Sequence, residues 1–221
     1  MRVVSLVPSV TETLVAWGVE PVAGTRFCDR PGLTAVGGTK DPDLARVESL
    51  DPDLVVMDEE ENRREDYEAL VRDGVEVLAL AVRDVLDVAP EMARLARAVG
   101  ADPGEGVLGP TRPLAGRALV AIWRRPWRFL GPHTYGASLL ARAGVEVVPG
   151  DRGRYPALDL VDAGSLAPDL VVAPSEPYPF AERHRQELET VAPVVFLDGR
   201  DLFWWGARTP GALERVAAAL A

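Results

Sequence analysis

The segment LDPDLVVM, residues 50–57, returns as LAPDLVVA at residues 166–173. Five of the six positions in DPDLVV (51–56) are repeated in APDLVV (167–172), at an offset of 116. Each copy reads as a Pro-Asp turn feeding a strand apolar on both faces, the pattern of a parallel sheet covered by helices. A second echo, GVEPV at 18–22 against GVEVV at 144–148, lies at an offset of 126. Two echoes at similar offsets imply two lobes built to one plan, the second ten residues shorter between its landmarks.

The surrounding sequence fills in that plan. RVVSLV (2–7) reads as a buried strand, and Ser9-Val10-Thr11-Glu12 as a capping box opening a helix that stops at Gly18. VEPVA resumes as strand, RREDYEALVRDG as an amphipathic helix closed by Gly74, and VEVLAL as strand. The second half repeats this with RALVAIW (117–123), YGASLLARAG (135–144), VEVV and LAPDLVVA. Strands alternating with short helices give βαβ units, so the expected fold is α/β: two Rossmann-like parallel-sheet lobes with a ligand cleft between them. The expected boundaries are an N-terminal lobe over 1–82, an interlobe helix and Pro/Gly-rich connector over 83–116, and a C-terminal lobe over 117–221. Helical spacing of Val85, Val88, Met92, Leu95 and Val99 supports the joining helix, and the Pro and Gly residues of 103–113 would break it.

Bulk properties narrow the function. The chain has 221 residues, a formal charge of −10, and no apolar run near the length of a membrane span. That charge argues against nucleic acid as a partner. Cys28 is the single cysteine, which excludes an internal disulfide. The N-terminal stretch is broken at Ser5 and Pro8-Ser9, so it lacks signal-peptide form. The sequence as written is expected to be cytoplasmic, or periplasmic or extracellular if the true start lies upstream.

In open α/β sheets ligands bind beyond the carboxyl ends of the strands, so the loops there are the ones to read. Trp123, Trp127, Trp204 and Trp205, with Tyr178, Phe180 and Phe203, fall in three such loops and form a candidate ligand-stacking wall; lobe core is the alternative. MDEEENRRED (57–66) carries Asp58, Glu59, Glu60, Glu61 and Glu65 at the end of a strand. Carboxylates in the first turn of a helix offset its dipole, which accounts for only some of them. His133 and His184 are not spaced as a metal pair, and no CxxC or HExxH pattern exists. Either one remains a candidate single ligand to a chelated metal, or a cap. Cys28 reads as a small buried side chain, and GGTK with Lys40 as a weak anion cradle.

With these features in place, the chain resembles the class III, helical-backbone periplasmic binding proteins, receptors for cobalamin, haem and iron–siderophore importers. The resemblance is carried by RVVSLVPSVTETLVAWG, FCDRP, GGTKDPDL, LDPDLVVMDEEENRRED, IWRRPWRFLGPHTYGASLLARAG, LAPDLVVAPSEPYPF and LFWWGAR. It implies a non-enzymatic receptor of an ABC-type importer, binding cobalamin or another metal chelate, with no intrinsic cofactor. Asp58, Glu60, Asn62, Trp123, Trp127, His133, Tyr178, Phe180, Trp204, Trp205 and Arg208 become candidate ligand contacts. His184 becomes a candidate metal ligand, and Glu61, Glu65 and Glu176 become candidate docking residues for an ABC permease. The expected form is a monomer that spans no membrane. The rival readings are a cytosolic sensor or chaperone in cobalt or iron metabolism, and a metal-assisted hydrolase using the acidic run, Lys40 and His184.

Overall fold

The structure, a computed structural model, describes residues 1–104, 106 and 108–221. The chain divides into two compact units. The first comprises Met1–Val82, Leu86–Gly106 and Trp205–Ala207; the second comprises Arg83–Val85, Val107–Trp204 and Arg208–Ala221.

In the first unit the strands β1 (Val3–Ser5), β2 (Ala23–Gly24), β3 (Thr34–Ala35), β4 (Leu54–Asp58) and β5 (Val77–Leu80) form one sheet. Their order is β3-β2-β1-β4-β5, parallel throughout. The helices are α1 (Pro8–Ala16), α2 (Leu44–Ser49), α3 (Arg64–Arg72) and α4 (Val88–Val99). Val4, Leu6, Ala23, Val36, Val47, Val55, Met57 and Leu70 form one continuous core. Ser9 does not cap α1 as a capping box would require. The helix begins at Pro8, whose missing N–H and fixed φ suit the first helical position, and the residue before it gives no side-chain cap bond. The Ser9 carbonyl instead accepts the Thr13 hydroxyl at 2.9 Å.

In the second unit β6 (Gly116–Arg124) is the central strand. It pairs in parallel with β8 (Val145–Val148) and β9 (Leu170–Pro174), and β9 pairs with β10 (Val194–Leu197). The sheet is not wholly parallel, because β7 (Trp127–Phe129) turns back antiparallel on β6. Two steps along β6, Ala121 to Trp123, match one step along β7, Phe129 to Arg128, so Ile122 is the extra residue of a bulge. The helices are α5 (Tyr135–Arg142), α6 (Leu160–Ser165), α7 (Arg185–Leu188), α8 (Gly199–Phe203) and α9 (Thr209–Ala219).

The internal repeat is visible in the hydrogen bonds. Val3 faces Leu54 across the β1–β4 pair, and Ala118 faces Leu170 across β6–β9. One residue upstream, the Arg2 N–H donates to Asp53 Oδ2 at 2.5 Å and the Arg117 N–H to Asp169 Oδ2 at 2.7 Å. Asp51 and Ala167, which open the two PDLVV copies, both hold left-handed φ, 46° and 49°. The likeness reaches back through α2 and α6, six residues each, whose N-caps Asp43 and Asp159 accept from the backbone three residues on.

The expected joining helix is a short 3-10 turn (Val85–Asp87) followed by α4, which ends at Gly100 with φ of 69°. That left-handed cap is a glycine position by backbone sterics. Of the connector expected over 103–113, positions 105 and 107 lie outside the described residues. Its later part is tied down: Arg142 donates to the Gly109 carbonyl, Arg112 N–H to the Arg142 carbonyl, and Ala115 N–H to the Gly144 carbonyl. A Cβ on Gly144 would come close to the Pro113 backbone oxygen, and its φ is 90°, so this junction admits only glycine without rearrangement.

Candidate functional site

The first sheet changes direction of winding between β1 and β4, so the crevice beyond those strand ends is its switch point. The segments placed there are Leu6-Val7 and residues 59–62. Asn62 binds them together. Its Oδ1 accepts the Asp58 N–H at 2.8 Å, and its Nδ2 donates to the Leu6 carbonyl at 3.0 Å and the Thr39 carbonyl at 2.9 Å. Asn62 is buried, so this side chain, expected as a ligand contact, spends three polar interactions on holding three segments in place. Lys40 Nζ adds a fourth tie, donating to the Glu60 carbonyl at 2.5 Å.

Asp58 ends β4 and is only 2% exposed. Its Oδ1 accepts the Glu60 and Glu61 N–H groups, both at 2.9 Å, which shapes the turn 58–61. Oδ2 is out of contact with solvent and has no hydrogen-bond partner among the described residues. Burial pushes the carboxyl up to about 6, with the Glu61 and Glu60 amides pulling the other way. Because this folded value lies above the ordinary 3.8, the proton stabilises the fold. That stabilisation is complete below the ordinary value and is lost as pH rises through about 6. We expect unfolding free energy to fall by about 2–3 kcal/mol between pH 4 and pH 7.5 from this group. Asp58→Asn should remove that slope in urea titrations, and an unchanged slope would refute the assignment. Asp41 and Asp201, held low by Arg26 and Arg215, act in the opposite sense and at lower pH.

Beyond Asn62, Asp66 is buried and paired with Arg63 at 3.0 Å, while Glu65 is exposed on the first turn of α3. Arg64 pairs with Glu68 at 2.7 Å on the helix surface. The acidic run therefore divides at Asn62: Asp58 is turned inward, and Glu65 is turned to solvent.

In the second unit the corresponding switch point lies between β6 and β9. The bulge precedes Trp123, which is 45% exposed and meets Tyr178 edge-on at 5.6 Å. Behind this pair the rings continue inward. Tyr178 lies 4.7 Å from Phe180, and Trp127 stacks between Phe180 at 6.0 Å and Phe129 at 6.2 Å. Phe180 and Phe129 are buried, and Trp127 packs against the same core. The aromatic set is thus a ladder with a wet end at Trp123 and a dry end at Phe129.

His184 is buried at the side of this ladder, 5.6 Å from Tyr178 and 5.5 Å from Phe180. Its Nδ1 accepts the Ala181 N–H at 3.1 Å, closing the 3-10 turn Glu182–His184. Burial holds its pKa below the ordinary histidine value, with the Arg183 and Arg124 charges adding to the effect. That is the cap among the expected roles. The described residues hold no cluster of three or more His, Cys, Asp or Glu side chains suited to a metal ion. His133 is exposed with φ of 59°, directly before Thr134, whose hydroxyl oxygen caps α5.

Trp204 and Trp205, adjacent in sequence, belong to different units. Trp205 is 4% exposed within the first. In the second, Trp204 Nε1 donates to Glu176 Oε2 at 3.0 Å, and the Arg200 and Arg208 guanidinium groups lie 5.2 and 5.5 Å from its ring. Glu176 also pairs with Arg200 at 3.6 Å, so this expected docking carboxylate is engaged inside its own unit. Arg208 in turn bonds Asp201 at 2.9 Å, and Asp201 accepts from Arg215 at 2.7 Å. Sequence reasoning missed this network and the Arg124–Glu187 pair at 2.9 Å beside Tyr178. The arginines stand in plain sight at 124, 200 and 215, but their partners are set by tertiary contacts 63 and 14 residues apart for Arg124 and Arg215.

No protein-family model matches the chain, and no curated protein matches it. Solved structures do match over nearly its whole length. The periplasmic vitamin B12 binding protein BtuF of Vibrio cholerae superposes with a TM-score of 0.78 at 18% identity, covering 99% of this chain and 96% of its own. A periplasmic heme binding protein from Pseudomonas aeruginosa gives 0.79 at 20% identity, with 99% and 91% covered. The periplasmic heme-binding protein RhuT from Roseiflexus sp. RS-1 gives 0.77 at 20%, with 99% and 97% covered. These scores hold at identities where sequence alone carries little, and the chain has the two-lobe α/β fold of the class III periplasmic binding proteins.

Proposed function

We propose that the chain is a non-enzymatic substrate-binding protein of an ABC-type importer, taking a flat metal chelate of the cobalamin, haem or ferric-siderophore class as cargo. The observation that carries this is Trp123, a tryptophan left 45% exposed at the switch point of the second sheet and braced edge-on by Tyr178. A large ring held in place by a ladder of aromatics is suited to an apolar, planar partner, because its own orientation is already fixed before binding. The vitamin B12 and heme binding proteins that share the fold favour the same class of cargo.

The partners that go with this reading are the chelate and an ABC permease, with the protein acting as a monomer outside the cytoplasm. Of the expected docking carboxylates, Glu65 is the exposed one on α3 and the better candidate for a basic permease surface.

Tryptophan fluorescence titration with cyanocobalamin, hemin and a ferric siderophore tests the proposal. One of them should quench saturably at micromolar concentration or below, and Trp123→Ala should weaken that ligand at least tenfold. No saturable quenching by any of the three would sink the reading.

A further inference from the structure

Trp123 is not alone on the face it exposes. In the β6–β7 pair, Ala121 stands opposite Phe129 and Trp123 opposite Arg128. Ala121 and Phe129 are both buried, whereas Trp123 and Arg128 are both exposed, so the bulge at Ile122 leaves these two side chains on one outward face. Directly opposed side chains start about 5 Å apart at their Cβ atoms, within reach of a single ligand.

Arg128 is anchored without being neutralised. The segment 154–157 lies along β7, with the Phe129 N–H donating to the Pro156 carbonyl at 3.0 Å and Arg128 bridged antiparallel to Ala157. There Arg128 Nη1 donates to the Tyr155 carbonyl at 3.2 Å. That bond fixes one corner of the guanidinium, and no carboxylate among the described residues pairs with it. The neighbouring Arg124 is committed to Glu187 at 2.9 Å, and Arg154 Nε donates to the His133 carbonyl at 3.1 Å. In a chain of formal charge −10, Arg128 is thus a local excess of positive charge beside an exposed ring. Guarding a sheet edge with charge would account for it equally well, but lysine would serve that role.

We propose that Arg128 is a specificity-determining residue that reads an ionised carboxylate on the edge of a planar cargo stacked on Trp123. This rests on the chelate-binding role proposed above and narrows it to acid-bearing chelates. With Nη1 held by Tyr155, the guanidinium offers Nε–H and Nη2–H as a parallel pair to a carboxylate, a geometry that a lysine ammonium does not match.

Fluorescence titration of the whole protein with hemin, hemin dimethyl ester, cyanocobalamin and a carboxylate-free trihydroxamate siderophore tests this. Esterification masks the two carboxylates of hemin and leaves its ring system intact. Wild type should bind hemin about tenfold tighter than the ester, as a charge-assisted bond to one carboxylate implies. Equal affinity for the two overturns the proposal without recourse to any variant. Arg128→Gln should reduce the preference to within about twofold while leaving the affinity for the ester unchanged, and Arg128→Lys should restore only part of it. Arg125→Gln, which removes an exposed charge on the adjoining hairpin turn, should keep the preference. A preference that survives Arg128→Gln, or is lost equally in Arg125→Gln, overturns the proposal, as does full recovery in Arg128→Lys. If hemin fails to bind while cyanocobalamin or the siderophore binds, this proposal falls and the chelate reading stands. Silence from all the probes takes down both.

Discussion

Asn62→Asp should lower the unfolding free energy by about 4–5 kcal/mol at pH 7.5, the largest loss expected from any single polar substitution considered in the first unit. The side chain swap is nearly isosteric, so the effect is one of donors and charge. The introduced carboxylate can still accept the Asp58 N–H, but it cannot donate to the Leu6 and Thr39 carbonyls that Nδ2 now serves. The buried Leu6 carbonyl and the part-buried Thr39 carbonyl lose their donor, at about 1–3 kcal/mol each, and an anion is set against them at a side chain that is 6% exposed. It also stands beside the buried Asp58. Protonation restores one donor, so the deficit should shrink as pH falls towards 5. Urea unfolding followed by circular dichroism at both pH values measures this. A loss under about 1.5 kcal/mol, or one independent of pH, would mean that Asn62 does not clip these segments together in solution.

The repeat explains why the fold was legible. A strand buried on both faces must be apolar throughout, and a Pro-Asp turn must precede it, so both PDLVV copies announce themselves without any tertiary information. Their aspartates then do the same work, accepting from Arg2 in one unit and Arg117 in the other. Elements with little local signal were hidden. Strand β7 is three residues long and lies inside a stretch read as loop, because Trp-Arg-Phe is too short for alternation to stand out. The capping box at Ser9 was overridden by a local rule of higher rank, Pro8 at the first position of α1.

The candidate site was legible in location and illegible in orientation. The two copies keep their 116-residue offset up to the ends of β4 and β9, so Asp58 and Pro174 occupy matching places, as do Asn62 and Tyr178. Beyond the strands the copies part company: one fills the switch point with a polar clip, the other with rings. Sequence could place Asp58 and Trp123 at strand ends and Asn62 and Tyr178 beyond them, because strand ends are readable. It could not tell which polar atoms turn inward, since that depends on the exact path of a four-residue turn. Nor could it sort the aromatics by depth, because the depth of Trp127 is set by the pairing of a strand it did not reveal.

That sorting yields the sharpest contrast between two tryptophans four residues apart. Trp127→Ala should cost about 3–5 kcal/mol of stability, because its ring stacks on both Phe129 and Phe180 and its removal leaves a gap inside a packed cluster. Trp123→Ala should cost about 1 kcal/mol or less, since that ring is nearly half exposed and touches the ladder only edge-on through Tyr178. Trp127→Phe keeps an aromatic in the stack and should recover most of the loss. For chelate binding at a temperature where both variants stay folded, the ranking should invert, with Trp123→Ala the more damaging. Urea unfolding and fluorescence titration on the same preparations give both rankings. If Trp127→Ala abolished binding while leaving stability within about 1.5 kcal/mol of wild type, the ladder would have to be read as binding surface along its whole length, and Phe180 would move with it from core to contact.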